Sequence, residues 1–390
     1  MSVSRGHLLP LLAVAFFLAG CSGGATAPAW SPAPASPAPP ARTAASAPGQ
    51  LAAREPSPAS GQTTGGEAPK PAPLSPPVTV RLAIVASVGD GGIVIAAERG
   101  YFQEEGIEVQ FTVIDSAGRM IPLLATGQLD VGTGGLNVAL INAVHQGVPL
   151  KIVADKGSLQ PGFGYEQFVV RKVLVDSGAA TTIADLKGKT IAVSSTSGID
   201  IVLLADLLRP AGLIPNDVNV VEIPFPDMVT ALANGSIDAA IEIEPFASRA
   251  LQQGTAVRWK TLDETSPGQP FAVIMYAPQF VQDHPEAARR WMVGYLRGIR
   301  DYNDAFLRGV KKDEVVQILT RHTTMTDPEL VRSIELPGLN PNGYTNAEGI
   351  GRAQDVWAGR NLVVRKIGVE EFVDHQFVDY ALGRLGRATP

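Results

Sequence analysis

The sequence predicts an α/β protein built from two similar lobes, each a mostly parallel sheet flanked by helices, facing one another across a cleft. Two observations predict it. An order of apolar run, polar loop, helical stretch, β-rich run, loop, helix and Gly-x-Leu/Ile-Asp occurs twice, about a hundred residues apart. The apolar runs, four to eight residues long and bounded by Gly, Asp and Ser, read as buried strands, and the amphipathic stretches between them are long enough to be crossover helices.

In the first copy the run 82–86 leads into the loop 87–92, then a helix, Gly106, the β-rich run 109–114, the loop 115–119, a helix and Gly127-Gln128-Leu129-Asp130-Val131. The second copy runs 190–193, loop 194–200, helix, Gly212, 218–223, loop 224–227, helix and Gly235-Ser236-Ile237-Asp238-Ala239. Each copy is therefore strand, helix, strand, helix, strand. Open parallel sheets bind ligands beyond the carboxyl ends of their strands, where the loops into helices leave backbone N–H groups unpaired. The repeat thus nominates its own site, the strand-to-helix loops of both halves. A single Gly-x-Leu/Ile-Asp is also a common helix exit; two in matching order say more.

The N-terminus is expected to be a delivery signal. Arg5 and the apolar stretch 8–17 precede Leu18-Ala19-Gly20-Cys21, the pattern of a lipoprotein signal ending at a lipidated cysteine, and the stretch is too short for a permanent membrane span. Cys21 is the sole cysteine of 390 residues, which leaves no disulfide for the rest of the chain. Residues 1–21 are assigned to the signal. Residues 22–78, rich in Pro, Ala and Ser, cannot bury enough surface to fold and are expected to form a disordered tether, with a reach on the order of 150 Å if fully extended. The remainder, about 310 residues, suits two domains. The net charge of -6 and the lack of a Lys/Arg cluster argue against nucleic acid.

Several stretches are similar to one family: Ala96-Ala97-Glu98-Arg99-Gly100-Tyr101-Phe102, Glu105 to Val109, Leu123 to Asp130, Asp185-Leu186-Lys187-Gly188-Lys189-Thr190, Asp238-Ala239-Ala240 leading to Glu244-Pro245, and His284-Pro285-Glu286. Their order resembles that of periplasmic solute-binding proteins of bacterial ABC importers, in the group of sulfonate, taurine, nitrate and thiamine-precursor binders. The resemblance implies a type II clamshell with two hinge crossings: residues 79–175 as the first part of lobe 1, 176–265 as lobe 2, and 266–390 as the return to lobe 1. The crossings are expected at 171–182 and 262–271, and C-terminal helices at 287–306, 313–319, 327–334 and 369–382. It also implies an extracytoplasmic, lipid-anchored monomer that takes a small solute to a permease and its ATPase, without a cofactor.

The loop Ser194-Ser195-Thr196-Ser197-Gly198 is the leading candidate, because hydroxyls and N–H groups converge there at a helix start that favours an anion. Ordinary N-capping would use the same residues. The matching first-lobe loop offers Ser87, Gly89 and Asp90; its Gly91-Gly92 pair permits close backbone approach, but Val94 stands where a dinucleotide fingerprint needs a third Gly. Ser116, Arg119, Thr133, Gly134, Asn137, Asp155 and Lys156 follow from later loops of the first half, and Phe225, Asp227 and Glu244 from the second, although an Arg in a first helical turn more often points to solvent and Glu244 would equally cap the following helix; Phe163 or Tyr165 could close over a ring, with surface loop packing as the default. These carry both signs of charge and leave the solute's charge open. The competing readings are a ligand sensor for a membrane receptor and an enzyme on the same fold. Catalysis needs a nucleophile, a metal or a close acid–base pair, and the histidines 7, 145, 284, 322 and 375 show no metal-ligand spacing.

Overall fold

The structure, a computed structural model, describes residues 71–114 and 116–388. The signal ending at Cys21 and the tether up to residue 70 lie outside the described residues. The first half reads β1 (Val78–Ile84), α1 (Gly91–Glu98), β2 (Ile107–Val113), α2 (Ala117–Ala125), β3 (Val131–Gly135), α3 (Val138–His145) and β4 (Lys151–Ser158). The second reads β5 (Glu166–Arg171), α4 (Lys172–Asp176), β6 (Thr190–Val193), α5 (Asp200–Leu208), β7 (Asn219–Glu222), α6 (Phe225–Asn234), β8 (Ala239–Ile243), α7 (Phe246–Gln252) and β9 (Ala256–Thr261). The chain returns through β10 (Pro270–Tyr276) and ends in α8 (Pro278–Asp283), α9 (Pro285–Arg308), α10 (Lys312–His322), α11 (Pro328–Ser333), α12 (Ala347–Gly359) and α13 (Gln376–Leu385).

Two five-stranded sheets result, ordered β2-β1-β3-β10-β4 and β7-β6-β8-β5-β9. The orders are equivalent strand for strand. In each sheet the first three strands pair in parallel, and the fourth is antiparallel to both its neighbours. The sheets are therefore mixed, mostly parallel in strand direction as the sequence predicts, with one antiparallel strand in each. The reason is topological: the antiparallel member of each sheet is the strand entered directly from the other lobe.

That exchange also moves the expected first crossing. β5 pairs with β8 and β9 in the second sheet, so the chain crosses at residues 159–165 rather than 171–182. The apolar run after Glu166 does not distinguish one buried sheet from another. The two crossing segments hydrogen-bond to each other, Gly268 N–H donating to Leu159 O at 2.8 Å and Leu159 N–H to Gln269 O at 3.0 Å. Further corrections concern the ends. Residues 71–77 are held on the first lobe, where Leu74 N–H donates to Glu105 O at 3.2 Å, so the tether stops short of 78. The expected helix at 369–382 is interrupted because Val373 bridges to Ile152 on the edge of β4. The helix α12 is not foreseen, its pattern being diluted by Gly349, Gly351 and Gly359.

The repeated aspartates have one structural task. Asp130 accepts the Arg81 N–H at 2.7 Å and Asp238 accepts the Thr190 N–H at 3.0 Å. In both lobes the carboxylate entering the third strand thereby fastens the first. The core is built from both faces of the first sheet and continues through the inner helices α5 and α12, with Leu203, Leu207, Ile350 and Trp357 fully or almost fully buried. A smaller cluster, centred on Met228, Leu232 and Ala250, covers the other face of the second sheet. No helix among the described residues is long and apolar enough to cross a membrane.

Candidate functional site

A cavity of about 510 Å³ lies between the sheets, walled by both lobes at the carboxyl ends of their parallel strands. The first lobe supplies the loops after β1, β2 and β3; the second supplies those after β6 and β7. Of the expected residues, Ser87, Gly89, Ser116 and Asn137 line it from the first lobe, and Ser195, Ser197 and Phe225 from the second, with Lys156 and Tyr165 between them. The lobes meet at its edge, where the Val138 N–H donates to Ser197 O at 3.0 Å. Trp357 on α12 adds a second tie, its Nε1–H donating to Gly198 O at 3.1 Å.

Other expected residues stand behind this wall. Asp90 is fully buried and accepts from Lys156 Nζ at 3.0 Å, Thr133 Oγ1 at 3.0 Å and the Ser87 N–H at 2.9 Å. Asp90 and Thr133 thus hold the lysine and the loop that face the cavity. Gly134 faces Ala117 at the start of α2. Asp155 is buried, accepts the Asn340 N–H at 3.2 Å, and has its carboxyl pushed up to about 7 by burial. Thr196 turns away and donates both its N–H and its hydroxyl to Glu222 at 2.8 Å, tying the loop to β7. Arg119 and Asp227 sit in the first turns of α2 and α6 but outside the cavity lining, as does Phe163. Glu244 is buried against Gln167 at 2.7 Å and Ser248 at 2.9 Å, and it lines a neighbouring chamber of about 380 Å³.

The two principal loops repeat one device. As Ser87 donates its N–H to Asp90, so Ser194 donates its N–H to Asp200 at 2.7 Å and its hydroxyl at 2.5 Å. An aspartate at the helix start gathers the preceding serine and shapes the turn. Asp200 faces the cavity, and Glu166, the first residue of β5, lies near it. Burial and the Asp200 charge push the Glu166 carboxyl well above the usual range; burial also raises the Asp200 carboxyl, against the opposing Ser194 bonds. The apolar wall includes Phe271 and Tyr165, whose rings stack with centroids 6.0 Å apart.

Residue-pattern reasoning missed Glu166, Asp200, Phe271, Leu136 and Ile243. Two of them left a signal. Aligning the repeats places Asp200 opposite Asp90, and Glu166 is a carboxylate just ahead of the apolar run 168–170. Phe271 and Ile243 reach the site only because β10 and β8 end there.

The model of the NMT1/THI5-like family matches residues 90–304, more than half of the sequence and most of both lobes. The chain belongs to this family. The riboflavin-binding protein RibY of Chloroflexus aurantiacus is 23% identical over 330 residues, covering 81% of this chain and 90% of that protein. A putative aliphatic sulfonates-binding protein of Bacillus subtilis is 26% identical over 315 residues, covering 78% and 88%. The periplasmic nitrate-binding protein NrtA from Synechocystis PCC 6803 superposes with a TM-score of 0.64 at 17% identity, over 81% of this chain and 90% of that one. The shared fold is the two-lobed one of periplasmic binding proteins, and the matched family region carries the cavity wall except for Val85, Ser87 and Gly89 of the loop after β1.

Proposed function

We propose that this protein is the solute-binding component of an ABC importer, capturing one small molecule between its lobes and delivering it to a membrane permease served by an ATPase. The observation that carries this reading is the cavity of about 510 Å³ walled by equivalent loops of two equivalent sheets. That size suits a small organic solute. A ligand touching both walls favours the closed arrangement by its differential contacts, and one touching a single wall does not. Relatives named for riboflavin, aliphatic sulfonate and nitrate binding support the reading at the level of a small solute. Lipidation at Cys21 would hold the carrier beside its permease and raise its effective concentration.

The test is native mass spectrometry with small-angle scattering on the full chain, against riboflavin, alkanesulfonates, nitrate, carboxylates and pyrimidines. One stoichiometric adduct that shrinks the radius of gyration and is recovered chemically unchanged is the expected result. An adduct converted to product would favour an enzyme on the same fold; no adduct and no compaction with any member would remove the carrier reading.

A further inference from the structure

The near-symmetry of the two lobes exposes one charge that has no counterpart. In the first lobe the loop aspartate, Asp90, is compensated by the buried Lys156 ammonium at 3.0 Å. In the second lobe the equivalent aspartate, Asp200, has a carboxyl beside it instead of a cation. Among the described residues neither Asp200 nor Glu166 is joined to a Lys, Arg or His, and Glu166 Oε2 is a buried oxygen with no hydrogen-bond partner in the protein. Glu166 is 5% exposed, and both residues line the cavity. A buried acceptor left without a donor costs on the order of 1–3 kcal/mol, which a donor brought by the solute would recover. Among the described residues Lys156 is the one basic residue in the lining, and Asp90 already holds it.

We propose that Glu166 is the specificity-determining residue of the cleft, and that with Asp200 it receives a nitrogen-borne N–H donor or cation of the solute, in the second lobe taking the place that Lys156 takes in the first. The stacked Tyr165 and Phe271 rings and Phe225 give the rest of such a solute a flat apolar bed. The lining then differs from one built for an oxyanion: an anion placed here meets two carboxyl groups and a lysine already paired with Asp90. Desolvation, which lifts the Glu166 carboxyl, would be relieved by a cation beside it. The proposal rests on the solute-binding reading and narrows it.

The experiment compares ring solutes of one size and opposite terminus on the full chain: benzylamine and benzamidine against benzoate and benzenesulfonate, by calorimetry and thermal shift. The expected result is that the nitrogen-bearing pair binds at least tenfold more tightly than the anions, and that Glu166→Gln removes at least tenfold of that affinity while the unliganded melting temperature stays within a degree or two. Preference for the anions, or equal affinity in wild type and E166Q, overturns the proposal but leaves the carrier reading in place. Binding by neither series also overturns it; the carrier reading then stands or falls on whether another solute compacts the chain.

Discussion

At the scale of single residues, the cleft is organised by aspartates that serve loops. Asp90 and Asp200 each collect the N–H and hydroxyl of a serine at the start of their loop, so the turn is set before any ligand arrives. This leaves the Ser195 and Ser197 hydroxyls with local bonds only: they lie 3.1 Å apart, and the Ser197 N–H donates to Ser195 Oγ at 3.2 Å. Replacing both by Ala removes two hydroxyls from the cavity wall and none from the core. With each hydroxyl bond worth about 1 kcal/mol, solute affinity should fall tenfold or more in a calorimetric titration while the melting temperature is unchanged. An unaltered affinity would take the loop's hydroxyls out of the site.

Among elements, the pairing that supports the first-lobe loop is α1 against α9. Gly91 and Gly92, adjacent to the cavity loop in sequence, serve this packing instead: a Cβ on Gly92 would lie 2.8 Å from Ile299 and one on Gly298 would lie 1.9 Å from Gly92 O. The second obstacle is backbone and cannot rotate aside. Gly298→Ala should therefore push the helices apart at a cost of about 1–3 kcal/mol, lowering the melting temperature on the order of 5 °C for a chain of this size. Circular dichroism melts check this, and an unchanged melting temperature would mean that the crossing is looser than the structure has it. A second consequence is for α12, which reaches over from the first lobe's C-terminal region to α5, with Arg360 Nη1 donating to Asn216 at 2.8 Å as well as Trp357 to Gly198. This helix thus joins the first lobe's C-terminal region to the second lobe beside the cavity loop 194–198.

For the whole molecule, both sheets bury carboxyls that burial raises: Asp155 in the first, Glu166 and Glu242 in the second. Asp155 in β4 is pushed up to about 7 and Glu242 in β8 to about 9, in both cases chiefly by burial. A carboxyl whose folded value lies above its unfolded one holds its proton more tightly in the folded state. Its stabilising contribution is complete below the unfolded value near 4 and is lost as pH rises through the folded value. Asp155 therefore weakens the fold between about pH 4 and 7 and Glu242 between about pH 4.5 and 9, each by about 1.4 kcal/mol per pH unit of the interval at most. The melting temperature should fall steadily from pH 5 to pH 9. Glu242→Gln, which keeps an acceptor for the Ile243 N–H now bonded at 3.1 Å, should flatten the part above pH 7; a profile as steep as wild type would contradict the assignment.

The sequence by itself determined the α/β class, the twofold repeat and the loops that face the cleft, because strand alternation, helix exits and loop chemistry are local properties written every few residues. It placed Ser87, Ser116, Asn137, Ser195, Ser197 and Phe225 in those loops, where the structure finds them around the cavity. It also set the repeated Asp130 and Asp238 in equivalent positions, although their work is to fasten strands rather than to bind. Tertiary structure alone decided which sheet receives β5 and β10, since a buried apolar strand carries no mark of its neighbours. The same exchange brings Glu166 and Phe271 to the cleft from the two crossing connections. It also decided charge: Asp90 meets Lys156 from a strand 66 residues away, and Asp200 meets Glu166. Whether a buried carboxyl finds a cation or another acid depends on which distant strand packs beside it within its own lobe, which no local pattern records.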